Sequence, residues 1–329
     1  MTGFSRYRIG VLGDDLTGVN AVVTEAAELG MRCIVTDAKE DGVPERVDVW
    51  GIDLASRDSG SKQSQALVRA GIGRMRDWGA DHLLLKIDSR GRGDPMALVA
   101  AAATEARPVI VSGAAPSNLP HGAVLIEEAN PYLAASQIAS CYSTGQTLWV
   151  GGVGLMTVLL WASITDRMPL GAVVGSYQPN IAPQVEAMRG LGALVLQLNE
   201  HRLAARLGSA WSACRPVVIE TMPAATSPGA TADADAAFRQ CAALLAPHLM
   251  DRAFGLILTG GHTANVVLRA LDVRRLDLVG RSVIDGAPLL RAALPALSKG
   301  LIVTKPGHFG GPDALVRIAM HVQLRAAMG

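Results

Sequence analysis

The chain has 329 residues, of which 50% are apolar and 18% charged, so it is long enough for two domains and too apolar to stay disordered. A formal net charge of +1, with neither a basic block nor basic-aromatic interleaving, gives no ground for a nucleic-acid or anionic-membrane partner. Four widely spaced cysteines, Cys33, Cys141, Cys214 and Cys241, form no C-x-x-C pair, which predicts reduced, packed thiols in a cytoplasmic protein.

The opening "MTGFSRYRIG" lacks the apolar core of a signal peptide. Apolar runs of strand length follow, "RIGVLG", "RCIVTD", "VDVWGID", "HLLLKID" and "PVIVSG", with helical patterns between them. The Pro/Gly-rich "GAAPSNLPHGAVLIEEANP" then breaks the rhythm and reads as a loop with a short hairpin. No charged residue occurs between Glu128 and Asp166, and "LWVGGVGLMTVLLWASI" within that stretch is long enough to raise the question of a membrane span. Its glycines and the polar "CYSTGQT" before it fit a buried strand, a turn and a core helix better. "GAVVGS", "ALVLQL", "PVVIE", "GLILTG" and "LIVTK" complete the set. Near-continuous apolar strands alternating with helices indicate parallel sheets covered on both faces. The expected fold is therefore α/β, two domains, each a mostly parallel doubly wound sheet with helices on both faces. The expected boundaries are 1–127 for the first domain, 128–170 for a junction and 171–329 for the second.

In open parallel sheets ligands gather at the carboxyl ends of strands, beside helix N-termini. In the first domain those positions carry Asp14 and Asp15, then Asp53, Ser56 and Arg57, then Lys86, Asp88, Ser89, Arg90 and Arg92. In the second they carry Gly175 and Ser176, "TGGHTAN" (Thr259 to Asn265) and "KPGHFGG" (Lys305 to Gly311). Asp15 or Thr17 can cap the helix that follows, which explains one acid of the pair and leaves its neighbour unexplained. Two of the five lysines, Lys86 and Lys305, stand at strand ends, where a flexible point charge suits a phosphate or carboxylate; a snorkelling lysine is the plain alternative. The glycine turns let a backbone approach a phosphate closely, although neither P-loop nor dinucleotide spacing is present. His262 and His308 lack metal-site spacing and are read as capping or ligand hydrogen-bonding groups, so no metal ligand set is assigned. A haloacid-dehalogenase type of phosphatase would need D-x-D where this chain has adjacent aspartates.

"DDLTG", "DLASR", "KIDSRGRG", "GGVGL", "VGSYQPNIAPQV", "LILTGGHTANVVLRAL" and "VTKPGHFGGPDALV", in this order, together resemble the four-carbon acid sugar kinase family. The resemblance implies an N-terminal acid-sugar domain, a C-terminal ATP domain and transfer of a γ-phosphate to a hydroxyl of a small sugar acid, with Mg²⁺ expected. Asp14, Asp15, Lys86 and Asp88 are then candidates for the chemistry, and Ser56, Arg57, Ser89, Arg90 and Arg92 for the sugar acid. Ser176, Gly260, Gly261, His262, Thr263, Lys305, Gly307 and Gly310 are candidates for the nucleotide. Which aspartate takes the proton stays open. The chain departs from the family at Arg90, where threonine is usual, in "AAPSNLPHG", which lacks an arginine, and at His262, where glutamate is usual. These departures bear on which acid is used. The alternatives are a sugar-acid or nucleotide binder without turnover and a kinase for a different small acid. The apolar excess is compatible with a homodimer.

Overall fold

The computed structural model describes residues 7–40, 42–88, 92, 94–111, 120–142, 147–176, 178–200, 202–221, 230–250, 252–280 and 282–328. The chain divides into two compact units between Ile164 and Thr165.

Among the described residues the first unit is built on a seven-stranded, wholly parallel sheet. Its strands are β1 (Ile9–Gly13), β2 (Cys33–Asp37), β3 (Val49–Asp53), β4 (His82–Lys86), β5 (Arg107–Val111), β6 (Val124–Ile126) and β7 (Thr147–Gly151), in the order β2-β3-β1-β4-β7-β5-β6. Its helices are α1 (Leu16–Glu28), α2 (Ser61–Asp77), α3 (Pro95–Ala103), α4 (Ala135–Ser140) and α5 (Leu155–Ala162). β1, β4 and β7 are buried at every residue, which is why they read as largely apolar runs. Successive β1 residues face opposite ways, with Gly10 against Met75 of α2 and Gly13 against Val19 of α1. Helices therefore cover both faces. Trp50, Ile52, Ile72, Met75, Leu85, Leu148 and Val150 form part of the core, and burial of each such side chain contributes about 1.5–3 kcal/mol.

Two expectations are corrected here. β6 pairs parallel with β5, so "GAVLI" is a crossover strand and not one arm of a hairpin. β7 lies between β4 and β5, so the stretch expected to be a junction completes the first unit as far as Ile164. It lacks charge because β7 is central and seven of the eight α5 residues are buried. Among the described residues, no helix is long and apolar enough to cross a membrane.

The second unit holds β8 (Leu170–Val174), β9 (Leu194–Gln197), β10 (Val217–Glu220), β11 (Phe254–Thr259), β12 (Leu276–Gly280), β13 (Leu289–Ala292) and β14 (Gly300–Lys305). Its helices are α6 (Ile181–Gly190), α7 (Leu203–Ser212), α8 (Ala230–Leu249), α9 (Gly261–Ala270) and α10 (Ala314–Met328). The sheet order is β12-β13-β14-β11-β8-β10-β9, parallel except for an antiparallel edge of β12 and β13 on β14. Gly255, level with Leu170, meets Val322 of α10, whereas the next β8 residue, Gly171, meets Trp211 of α7 and Leu245 of α8. This sheet too is covered on both faces.

Candidate functional site

In the first sheet the strand order reverses about β1, and Gly13 is level with Asp53 on one side and Lys86 on the other. The loops leaving β1, β3 and β4 thus emerge side by side at the carboxyl edge, the place where such folds bind ligands. They bring together Asp14, Asp15, Ser56, Arg57, Lys86, Asp88 and Arg92. Ser89 and Arg90 lie outside the described residues.

Arg57 is the hub of this group. Its Nε donates to Asp14 Oδ2 at 2.9 Å, Nη1 to Asp15 Oδ2 at 2.8 Å and Nη2 to Asp88 Oδ1 at 3.3 Å. Arg92 adds its backbone N–H and Nε to Asp88 Oδ2, at 3.0 and 3.2 Å, and Nη2 to Asp88 Oδ1 at 2.8 Å. Three of Arg57's five N–H donors are thus engaged with the protein's own carboxylates. Asp15 is also the cap of α1: Oδ1 accepts from Gly18 N at 3.0 Å, and Oδ2 accepts from Thr17 Oγ1 at 2.5 Å. Burial works to raise its pKa, but the Thr17 hydroxyl, the Gly18 N–H and Arg57 outweigh it and hold the carboxyl below the ordinary 3.8. Asp14 is buried, and among the described residues its Oδ1 has no hydrogen-bond partner; the Ser56 hydroxyl is also buried without one.

The loop after β3 needs unusual backbone to deliver Arg57. Ala55 has φ 46, a conformation that costs a non-glycine residue about 1–2 kcal/mol, and Asp53 Oδ1 supports it by accepting from Ala55 N at 2.9 Å. Backbone N–H groups of Ser56 and Arg57 then donate to the carbonyl of Asp14, at 3.1 and 3.3 Å. Lys86 is buried, its side chain running past Gly13 and Gly18, and Nζ donates to the carbonyl of Ile87 at 2.6 Å. Among the described residues it has no carboxylate partner.

The second sheet reverses its order about β8, and Thr259 is level with Val174 on one side and Lys305 on the other. Ser176, the turn Gly260 to Thr263 and the turn after Lys305 are therefore neighbours. A Cβ on Gly307 would overlap Ser176, and one on Gly175 would overlap Thr263 and Phe238. Gly260 turns the chain with φ 104, and α9 starts at Gly261, which has no atom within 4 Å of where its Cβ would stand. Lys305 is 1% exposed and donates to the carbonyls of Pro306 and Gly307, at 3.0 and 3.4 Å; burial pushes its pKa down to about 8. The Thr259 hydroxyl beside it is fully buried without a hydrogen-bond partner. Gly310 has φ 84, and a cavity of about 510 Å³ opens against this turn, lined in part by Val283, Ile284, His308 and Phe309.

His262 is drawn to α8: its Nε2 shares a hydrogen bond with Asp235 at 2.6 Å and its ring lies edge-on to Phe238. Two residues of the motif "VGSYQPNIAPQV" that were not among the candidates hold the glycine turn. Gln184, fully buried, donates from Nε2 to the carbonyls of Phe309 and Gly310 at 3.3 and 3.2 Å, and Asn180 donates to Gly310 at 3.4 Å. Among the described residues no group of three His, Cys, Asp or Glu side chains is placed to hold a metal ion. The turns around Lys305 offer hydroxyls, N–H groups and an ammonium, donors that suit an anion.

Residues 9–119 match the family model of a sugar-binding N-terminal domain, and residues 172–315 that of a nucleotide-binding C-terminal domain. Across 96% of this chain and 98% of the relative, the sequence is 25% identical to the D-threonate kinase of Bordetella bronchiseptica. The chain belongs to the four-carbon acid sugar kinase family. Its fold also matches two crystal structures of a domain of unknown function from Bordetella bronchiseptica, each a domain-swapped dimer with bound citrate. The TM-scores are 0.57 and 0.58 at 21% identity, covering 96% of this chain and 98% of the other. The family's sugar-binding module contains the Arg57 hub, and its nucleotide-binding module contains the turns around Lys305.

Proposed function

We propose that this family member transfers the γ-phosphate of ATP to a hydroxyl of a small sugar acid, most naturally one of four carbons. What supports this most is that each unit buries one lysine at the carboxyl edge of its sheet, Lys86 and Lys305, with no carboxylate partner among the described residues. A buried ammonium left without an anion is costly, and a ligand that brings the anion relieves it. In the second unit that anion is the polyphosphate, held by Lys305, the α9 N-terminus and the turns at Ser176 and Gly307, with the nucleoside directed to the adjoining cavity. Its volume is within the range usual for small-molecule sites. In the first unit it is the carboxylate of the sugar acid, held by Lys86 and the remaining donors of Arg92.

Phosphoryl transfer requires placement of the acceptor hydroxyl, neutralisation of phosphate charge and a group to accept the hydroxyl proton. The carboxylates about Arg57 suit a polyol, since their oxygens accept from hydroxyls, and the Ser56 hydroxyl is an unspent partner. Mg²⁺, when bound with the nucleotide, would neutralise phosphate charge and be carried mainly by phosphate oxygens and water.

The test is a thermal-shift screen of ATP, ADP and C4 to C6 sugar acids, followed by an ADP-release assay on each acid that stabilises the protein. The panel extends past threonate and erythronate because this chain carries Arg90 where the family has threonine. Stabilisation by nucleotide and acid without ADP release would turn the proposal into a binding protein, and stabilisation by neither would end it.

A further inference from the structure

We infer that Asp14, and neither Asp15 nor Asp88, takes the proton from the acceptor hydroxyl. This rests on the kinase function proposed above and goes beyond it by choosing among three carboxylates that the sequence leaves equivalent.

A general base needs an oxygen with a lone pair free to receive the proton. Asp15 already accepts three bonds, from the Gly18 N–H on Oδ1 and from the Thr17 hydroxyl and Arg57 Nη1 on Oδ2, and these hold its pKa below the ordinary 3.8, which makes it a poor proton acceptor. Asp88 is committed as fully, with Oδ1 between Arg57 Nη2 and Arg92 Nη2, and Oδ2 under Arg92 N and Nε. Protonating either would break charge-assisted bonds that are about twice as strong as neutral ones. Asp14 differs. Arg57 Nε fixes its Oδ2, while Oδ1 is buried and accepts from no donor among the described residues. Buried polar atoms are nearly always paired, so an orphaned carboxylate oxygen at a strand end, with the Ser56 hydroxyl of the same cluster also unpartnered, marks a place that a ligand's O–H completes.

The charged groups around Asp14 fit the role. Arg57 reaches it from the loop after β3, and Lys86 from β4 runs past Gly13 and Gly18 on either side of the aspartate pair. Asp15 and Asp88 hold the other two corners of the guanidinium, so Arg57 stays fixed when Asp14 becomes neutral. In the step itself the hydroxyl O–H breaks and its proton goes to Asp14 Oδ1. The oxygen's electron pair forms the bond to the γ-phosphorus of ATP, and the bond from that phosphorus to the β,γ-bridging oxygen breaks, its pair leaving on ADP. Asp15, Asp88 and Arg57 are positioning residues for this base.

The experiment compares Asp14→Asn, Asp15→Asn and Asp88→Asn with wild type, using ATP and the best acid from the screen. It measures kcat, KM for the acid, ADP affinity by calorimetry and thermal unfolding. Asp14→Asn is expected to lose about a hundredfold or more in kcat, with KM and ADP affinity within about threefold. Asp15→Asn and Asp88→Asn are expected to raise KM or lower the melting temperature while kcat stays within about tenfold. Asp14→Asn retaining kcat within about tenfold, or either other variant losing more kcat than it at unchanged KM, overturns the assignment and leaves the kinase function standing. No ADP release by wild type with any acid overturns both. Should Asp14→Asn not fold, Asp14→Ala with added formate replaces it. Formate must then restore kcat by about tenfold or more, and its failure to do so counts against Asp14.

Discussion

Gly307 lies so close to Ser176 that a Cβ added to it would stand 2.7 Å from the serine Cβ and nearer still to its hydroxyl. Gly261, across the same pair of turns, has nothing within 4 Å of its own Cβ position. The two glycines are absent of side chain for different reasons: the first because the protein fills the space, the second because the protein leaves it open.

Gly307→Ala should accordingly lower stability by about 1–3 kcal/mol, as overpacking does, and weaken ADP together with it. Gly261→Val should leave the melting temperature of the free protein almost unchanged and weaken ADP about tenfold or more, about 1.4 kcal/mol. Calorimetric titration and thermal unfolding of both variants check the pair; an unaltered ADP affinity in folded Gly261→Val removes α9 from the nucleotide site.

Lys305 gives the nucleotide site a signature in pH. Burial lowers its pKa to about 8, so between about 8 and the ordinary 10.5 the unfolded chain holds more protons than the folded one, and stability rises with pH across that window. If Lys305 holds the phosphates as proposed, ADP binding should have the opposite dependence, because the phosphates need the ammonium. Affinity should fall by up to about tenfold per pH unit above pH 8, with net proton uptake on binding. Titrations from pH 7 to 10 in buffers of different ionisation enthalpy measure both, and Lys305→Met should abolish the dependence.

Asp15 should behave as a cap under acid. Its depressed pKa contributes stability that is present above the ordinary 3.8 and is lost as pH falls through that value toward the lower folded one. Asp15→Asn keeps a competent capping side chain but removes the titration, so its urea midpoint should change less over this acid range than that of wild type. Asp15→Ala should lose about 1 kcal/mol at neutral pH. Parallel acid slopes for wild type and Asp15→Asn would contradict this.

Gln184→Met keeps the volume of a fully buried side chain and removes the amide that donates to Phe309 and Gly310. Two lost hydrogen bonds of about 1 kcal/mol each should loosen the turn, so ADP affinity should drop by about tenfold or more while wild-type binding sets the reference. Full ADP affinity in Gln184→Met would show that the turn holds its shape without the amide.

The strand ends could be read from the chain because the central strands of both sheets are mostly apolar and end at polar residues, as β1 does at Asp14 and β14 at Lys305. β12 and β13 were not legible: they form an antiparallel edge, and β12 alternates polar and apolar residues with Leu278 75% exposed. The Arg57 hub was illegible for another reason. Acids and guanidinium are visible as residue types, but who pairs with whom depends on strand order, which places the ends of β3 and β4 on either side of β1. Gln184 stands within a quoted motif, but nothing in the motif says that the amide is buried under Gly310, which only the fold shows.

The three bonds of Arg57 span 43, 42 and 31 residues of chain. Asp14 and Asp15 leave the ribosome first, Arg57 next and Asp88 last. At about 5–20 residues per second, several seconds separate the first carboxylate from the last. Through that interval two aspartates stand side by side without their cation, and then a cation without its third anion. No fragment short of β4 can present the finished arrangement, and such long-range closure makes the site a late product of folding. Retention on an immobilised acid that the wild-type protein binds should therefore count only molecules in which β1, β3 and β4 have come together, making such a ligand a gauge of how much newly made protein has closed this site.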